Sequence, residues 1–181
     1  AKRLSKNAAL LSMTLFFVSP KIIVLSSTSK PDIALFTYII LSLHFLFHWL
    51  ERNENKYLWI SAIFTGLSLS AKMQGIFWAI SIGILVLILL FKVHPKKNSL
   101  ILKLLFAYTF IATIVVLPWY TRNFILTGDP IWPFGYELFN SKYWSQALHD
   151  KYANWQQGSG TSIVHYLTGI WNLTLNQKDW N

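Results

Sequence analysis

The sequence predicts an all-α, polytopic integral membrane protein. Three observations carry that prediction. Only 13% of the 181 residues are charged and 54% are hydrophobic, whereas an average soluble domain has about 25% charged residues. The apolar residues come in long uncharged blocks, as a bilayer core requires. Lysine and arginine collect in short stretches between those blocks, the pattern of loops on the cytoplasmic side.

The blocks delimit about five spans, at 7–25, 32–50, 57–71, 73–91 and 104–121. Pro20 and Lys21 interrupt the first near its outer end. The third is short and contains Gly66. Met73 to Phe91 is uncharged over 19 residues, long enough to cross the hydrocarbon core. The third and fourth spans are joined by a few residues around Lys72, so they form a tight helical hairpin or one broken helix. Nine of the sixteen cations lie in three stretches: Lys2, Arg3 and Lys6; Arg52 and Lys56; Lys92, Lys96, Lys97 and Lys103. With these three inside, the opposite side receives 26–32, the Lys72 turn and everything after Pro118. The chain is thus read as a transmembrane bundle over 1–122 and an extracytoplasmic or interfacial segment over 123–181.

The second segment is rich in tryptophan and glycine and poor in aliphatic runs. Residues 141–157, "SKYWSQALHDKYANWQQ", carry aromatic and aliphatic residues at helical spacing, which predicts an amphipathic helix in the headgroup region. "GSGTS" at 158–162 is a break, and a second apolar helix is expected after it.

Composition also sets exclusions. A net charge of +9 would suggest nucleic acid in a soluble protein. Here lysines flanking membrane helices beside anionic lipid account for it, and no nucleic-acid partner is expected. The absence of cysteine excludes a disulfide framework and a thiolate metal site. No nucleotide loop, nucleophile elbow or His/Cys cluster is present. Ala1 stands where a start methionine would, and an apolar run is under way by Ala8. The chain is therefore expected to be an internal fragment, with further apolar blocks that argue against reading 1–25 as a signal peptide.

Three charged residues at the outer edge are candidates for chemistry. Arg122 sits in "LPWYTRNFILTGDPIWPF", residues 117–134. It is either an interfacial anchor beside Trp119 and Tyr120 or a bidentate fork for a phosphate at the membrane surface. Lys72 is either a snorkelling lysine or a second contact to the same phosphate, with Gly75 allowing close backbone approach. Asp32 follows Ser29-Lys30-Pro31, which fits a capping box with Ser29 at the N-cap. Alternatively it is a carboxylate that orients an acceptor hydroxyl, takes its proton or helps hold a metal. One acid does not make a metal site, so no cofactor is predicted, and a divalent metal is not excluded. His44, His48 and Glu51 share a helix face at i, i+4 and i+7, and are read as polar packing rather than a metal site. Asn172-Leu173-Thr174 is a glycosylation sequon.

Pro118-Trp119-Tyr120-Thr121-Arg122-Asn123, Thr127-Gly128-Asp129-Pro130 and Trp132-Pro133-Phe134 together resemble the P-W-x-x-R-N, T-G-[ND]-P and x-P-F series of GT-C-fold glycosyltransferases. The nearest branch is glycosyltransferase family 39, which includes the protein mannosyltransferases and the aminoarabinose transferases. "GLSLSAKMQGIFW" is similar to that family's G-L-x-x-x-x-K-x-x-G helix turn, and 19–47 to its third and fourth membrane helices with an acid between them. "GYELFNSKYWSQAL" resembles the loop after the Pro-Phe pair, so the likeness covers about 8–155. The resemblance implies a membrane enzyme that takes a sugar from a polyprenyl-phosphate carrier and gives it to a lipid or protein acceptor outside the cytoplasm, usually with inversion. It implies that Asp32 is a second extracytoplasmic acid and that Lys72 and Arg122 lie near the carrier phosphate. A prokaryotic plasma or inner membrane is the expected location. The family's main catalytic acid, in a loop after the first membrane helix, has no match here, so the fragment is expected to be inactive alone. Two other readings stay open: a transporter or flippase of lipid-linked saccharide, and a non-catalytic membrane scaffold.

Overall fold

The computed structural model describes residues 5–28 and 30–157. The expected break at 158–162, the apolar helix after it, the Asn172 sequon and Ser29 lie outside the described residues. Among the described residues there are eight helices and no strand. They are α1 (Lys6–Val18), α2 (Pro20–Ser27), α3 (Asp32–Arg52), α4 (Asn55–Ala71), α5 (Gly75–Val93), α6 (Asn98–Thr127), α7 (Tyr136–Phe139) and α8 (Gln146–Gln157). The chain divides into two compact units, Ala1–Arg122 and Asn123–Asn181. It is an all-α membrane protein. By length and composition α3, α5 and α6 can each cross a bilayer.

Local chemistry explains where the helices start and stop. Ser5 caps α1 by accepting from the Ala8 N–H at 3.2 Å. Extended Ser19 separates α1 from α2, and Pro20 begins α2, where its missing N–H costs nothing. α3 ends at Asn53, whose φ of 54° is left-handed and whose N–H bonds the Trp49 carbonyl. α6 is 30 residues long, beginning before the apolar run does and continuing through Pro118. Lys103 does not end it, because lysine can bury its stem and send its ammonium to the surface. It stops at Gly128, with φ 79° and an N–H bonded to the Phe124 carbonyl.

In the first unit α3 and α4 form the principal packed pair, with α5 against them. Trp49, Leu58, Leu90 and Ile101 make its most deeply buried apolar layer. Above that layer lies a cluster of hydroxyls. Ser42 Oγ is 3.0 Å from Ser61 Oγ and 2.8 Å from Thr65 Oγ1. Tyr108 Oη is 2.7 Å from Thr65 Oγ1 and 3.1 Å from Ser61 Oγ. All four side chains are buried, and they join α3, α4 and α6. Gly66 makes the α4–α6 contact close: a Cβ there would lie 2.5 Å from the Ala112 carbonyl oxygen and 2.7 Å from Val115 Cβ. The outward faces carry Phe47, Phe77 and Phe106, each more than 60% exposed, as lipid-facing positions do.

These contacts fix an expected contrast between two glycines. Gly66→Ala forces α4 away from α6 and costs about 1–3 kcal/mol, the range for overpacking. Gly83, inside α5, has nothing within 4 Å of a built Cβ, so Gly83→Ala leaves stability unchanged or raises it by up to about 1 kcal/mol. Unfolding in detergent followed by circular dichroism measures both. Equal effects of the two substitutions would show that Gly66 is not a packing contact.

Candidate functional site

Asp32 is the first residue of α3 and Lys72 is the first residue beyond α4. Forty positions apart, they meet: Lys72 Nζ donates to Asp32 Oδ1 at 2.6 Å. Each side chain is about one-third exposed, at 32% and 33%. Both charges suit their helix ends, since a carboxylate is favoured at a helix N-terminus and a cation at a C-terminus. Asp32 stands at the first position of its helix, and Pro31 is the N-cap. The capping-box reading placed it three positions into a helix capped by Ser29, so that part of the expectation is corrected. The carboxylate is engaged by a lysine just beyond the end of α4.

Gly75 makes a close approach of its own. A Cβ there would lie 2.2 Å from the Ser68 carbonyl oxygen, so the close approach it permits is to the backbone of α4. The Gly75 N–H also bonds the Lys72 carbonyl at 2.8 Å. The α4–α5 turn is thereby held tight, and Lys72 is presented from a short, constrained link.

Arg122 is not brought into contact with the pair. Its guanidinium lies over the Trp119 ring, 5.6 Å from the centroid, and no carboxylate pairs with it among the described residues. Its level in the bundle follows from the α4–α6 crossing. Gly66 meets Ala112 and Val115, and the Ser61 and Thr65 bonds to Tyr108 show that the two helices run in the same direction. Lys72 is six residues beyond Gly66, and Arg122 is seven to ten beyond its contacts. The axial offset between them is therefore roughly 2–6 Å. Arg122 is at the Lys72 end of the bundle, exposed and unpaired with acid among the described residues.

The opposite end of α3 carries His44, Phe47, His48 and Glu51 around a cavity of about 360 Å³. The two imidazoles meet edge to face, with centroids 4.6 Å apart, and His48 Nδ1 lies 3.6 Å from Glu51 Oε2. No group of three His, Cys, Asp or Glu side chains among the described residues could hold a metal.

The second unit is organised by a residue that sequence reasoning did not single out. Asp129 is fully buried. Its Oδ1 accepts from the Ile131 N–H at 2.9 Å, closing a turn, while Oδ2 has no partner among the described residues. Thr127 Oγ1 donates to the Asp129 carbonyl at 3.1 Å. The Thr127-Gly128-Asp129-Pro130 series was the available signal, and it marks a turn. Trp132, Trp144 and Tyr152 then pack edge to face, with centroids 5.7 and 6.0 Å apart. α8 starts at Gln146, later than the expected amphipathic helix at 141–157. Ser145 accounts for that start: its Oγ accepts from the Leu148 N–H and its carbonyl from the His149 N–H. Tyr143, at φ 66°, lies in the turn before it.

Residues 1–120 match the family model of the dolichyl-phosphate-mannose-protein mannosyltransferases. The chain belongs to that family. It is accordingly a membrane glycosyltransferase of the GT-C type. No curated protein and no solved structure gives a significant match. The segment matched by the mannosyltransferase model contains Asp32 and Lys72 and stops two residues before Arg122.

A double-mutant cycle on Asp32→Asn and Lys72→Gln measures how much the ion pair itself stabilises the bundle. At one-third exposure the coupling is expected to be about 0.2–1 kcal/mol. A coupling of zero in detergent unfolding would mean that the pair contributes nothing to holding α3 against the α4–α5 turn.

Proposed function

We propose that the chain moves a sugar from a polyprenyl-phosphate-linked donor to a lipid or protein acceptor on the extracytoplasmic side of a prokaryotic plasma or inner membrane. The observation that carries this reading is the Asp32–Lys72 pair. It sets a carboxylate and an ammonium side by side at one end of a membrane bundle, partly open, inside the segment that matches the family.

The chemistry asks for both charges. An acceptor hydroxyl gives its proton to Asp32 as its oxygen attacks the anomeric carbon of the donor sugar. The bond from that carbon to the phosphate oxygen breaks, and polyprenyl phosphate leaves with the electron pair. Attack opposite the leaving group inverts the configuration. Lys72 and Arg122 hold the phosphate, whose negative charge grows as the bond breaks, so their attraction is strongest in the transition state. Before the donor arrives, Asp32 occupies Lys72. A phosphate that draws the ammonium toward itself leaves the carboxylate free to take a proton, which couples donor binding to base activation. The guanidinium of Arg122 already rests on Trp119, and a planar fork of that kind suits phosphate oxygens.

Binding of a polyprenyl phosphate to the chain in detergent tests the assignment without requiring turnover. Lys72→Gln and Arg122→Gln are each expected to weaken binding about tenfold, the scale of one lost charge-assisted hydrogen bond. Asp32→Asn is expected to leave binding equal or tighter, because it releases Lys72. Unchanged affinity in both cation variants would remove the phosphate role and favour a scaffold.

A further inference from the structure

The end of α5 and the start of α6 form a second cationic feature, at the opposite end of α5 from Lys72. α5 ends at Val93 and α6 begins at Asn98. Lys92, Lys96, Lys97 and Lys103 lie on or beside this short connection, and all four are exposed. None has a side-chain ion pair or hydrogen bond among the described residues. Neutralisation from within the neighbouring sequence is not available either, because no Asp or Glu occurs between Glu54 and Asp129. Lys96 is held in the left-handed region at φ 65°, and the Lys97 N–H bonds the His94 carbonyl at 3.2 Å. This folds the connection back on itself. Lys96, Lys97 and Lys103 then line a cavity of about 410 Å³ with Asn98, Ser99 and Leu100.

An open depression lined by three ammonium groups, two small polar side chains and one leucine suits a phosphate attached to something apolar. Its position identifies the source of the phosphate. Both flanking helices are long and apolar enough to span a bilayer, so a four-residue link between them sits at headgroup depth. We infer that this corner is a docking site for the phosphate of an anionic glycerophospholipid headgroup, with Leu100 against the start of the acyl chains. It is separate from the sugar-transfer site proposed above and does not depend on it.

Native mass spectrometry of the full chain, released from micelles holding equal amounts of phosphatidylglycerol and phosphatidylcholine, tests this. The chain is expected to retain phosphatidylglycerol in preference to phosphatidylcholine. Each lysine beside an anionic lipid surface changes binding about fivefold, so three together change it on the order of a hundredfold. The triple variant Lys96→Gln, Lys97→Gln, Lys103→Gln should therefore lose the preference. The triple Lys→Arg variant at the same positions should keep it, and excess inorganic phosphate should not displace the lipid. Helicity by circular dichroism checks that each variant is folded. Equal retention of the two lipids would overturn the inference, as would a preference that survives in the glutamine variant or disappears in the arginine variant. Displacement by inorganic phosphate would identify a site for a free anion instead.

Discussion

The bundle depends on four buried hydroxyls. Between helices in lipid there is little hydrophobic force to spend, because the acyl chains are as apolar as leucine. Association rests on close packing and on hydrogen bonds that the surroundings cannot supply. Ser42, Ser61, Thr65 and Tyr108 provide those bonds, and each of the three helices contributes at least one of them. Bonds of this kind average about 0.6 kcal/mol by double-mutant cycles in a membrane protein. Their collective effect is specificity. Sliding α4 by one residue against α3 or α6 would turn two or three polar groups toward hydrocarbon without partners, which costs several kcal/mol for each group left unsatisfied.

That fixed register is what brings the charged residues to one end. The hydroxyl cluster sets α4 level with α3 and α6, and Gly66 brings α4 against α6 at a distance no larger residue permits. Gly75 then sets the turn after α4 by resting on Ser68. Lys72 has no freedom to drift outward with a loose loop, and its ammonium reaches the first carboxylate of α3. Small residues and hydroxyls in the middle of the bundle thus position a charge pair at its end. The ion pair itself, one-third exposed on both sides, is a poor candidate for holding the helices together.

Much of this was legible in the sequence, and the remainder was hidden for identifiable reasons. Uncharged blocks and clustered lysines indicate an all-α membrane protein because the bilayer punishes charge directly. The aromatic motifs around Pro118 and Gly128 carried the family resemblance. Helix ends were harder. Lys103 breaks the uncharged run, so Asn98 to Lys103 read as a loop, yet α6 has already begun, because a backbone can be helical before it enters hydrocarbon. Asp32 looked like a capping residue because the local signal was four residues long. Its partner lies forty positions away in sequence, and no periodicity reports such a pair. Gly75 suggests a close backbone approach, but its contact with Ser68 depends on how α5 turns back on α4, which sequence spacing does not report. Asp129 was overlooked because Gly-Asp-Pro is a common turn series, and burial of the carboxylate is a property of the folded unit.

The distribution of acids separates the two ends of the bundle chemically. From Asn55 to Gly128 the chain has cations and no carboxylate. Lys72 is nonetheless paired, because α3 delivers Asp32 to it, whereas the lysines of the α5–α6 corner pair with no acid among the described residues. An ammonium held by a carboxylate is already partly neutralised, so a ligand gains less from it and must displace or share the existing partner. Such an arrangement weakens static binding of an anion and favours exchange. Unpaired lysines impose no competition and favour persistent occupancy by whatever anion the headgroup layer supplies. The same residue type thus meets an acid at one end of the bundle and none among the described residues at the other, and the difference comes from a single aspartate at the first position of α3.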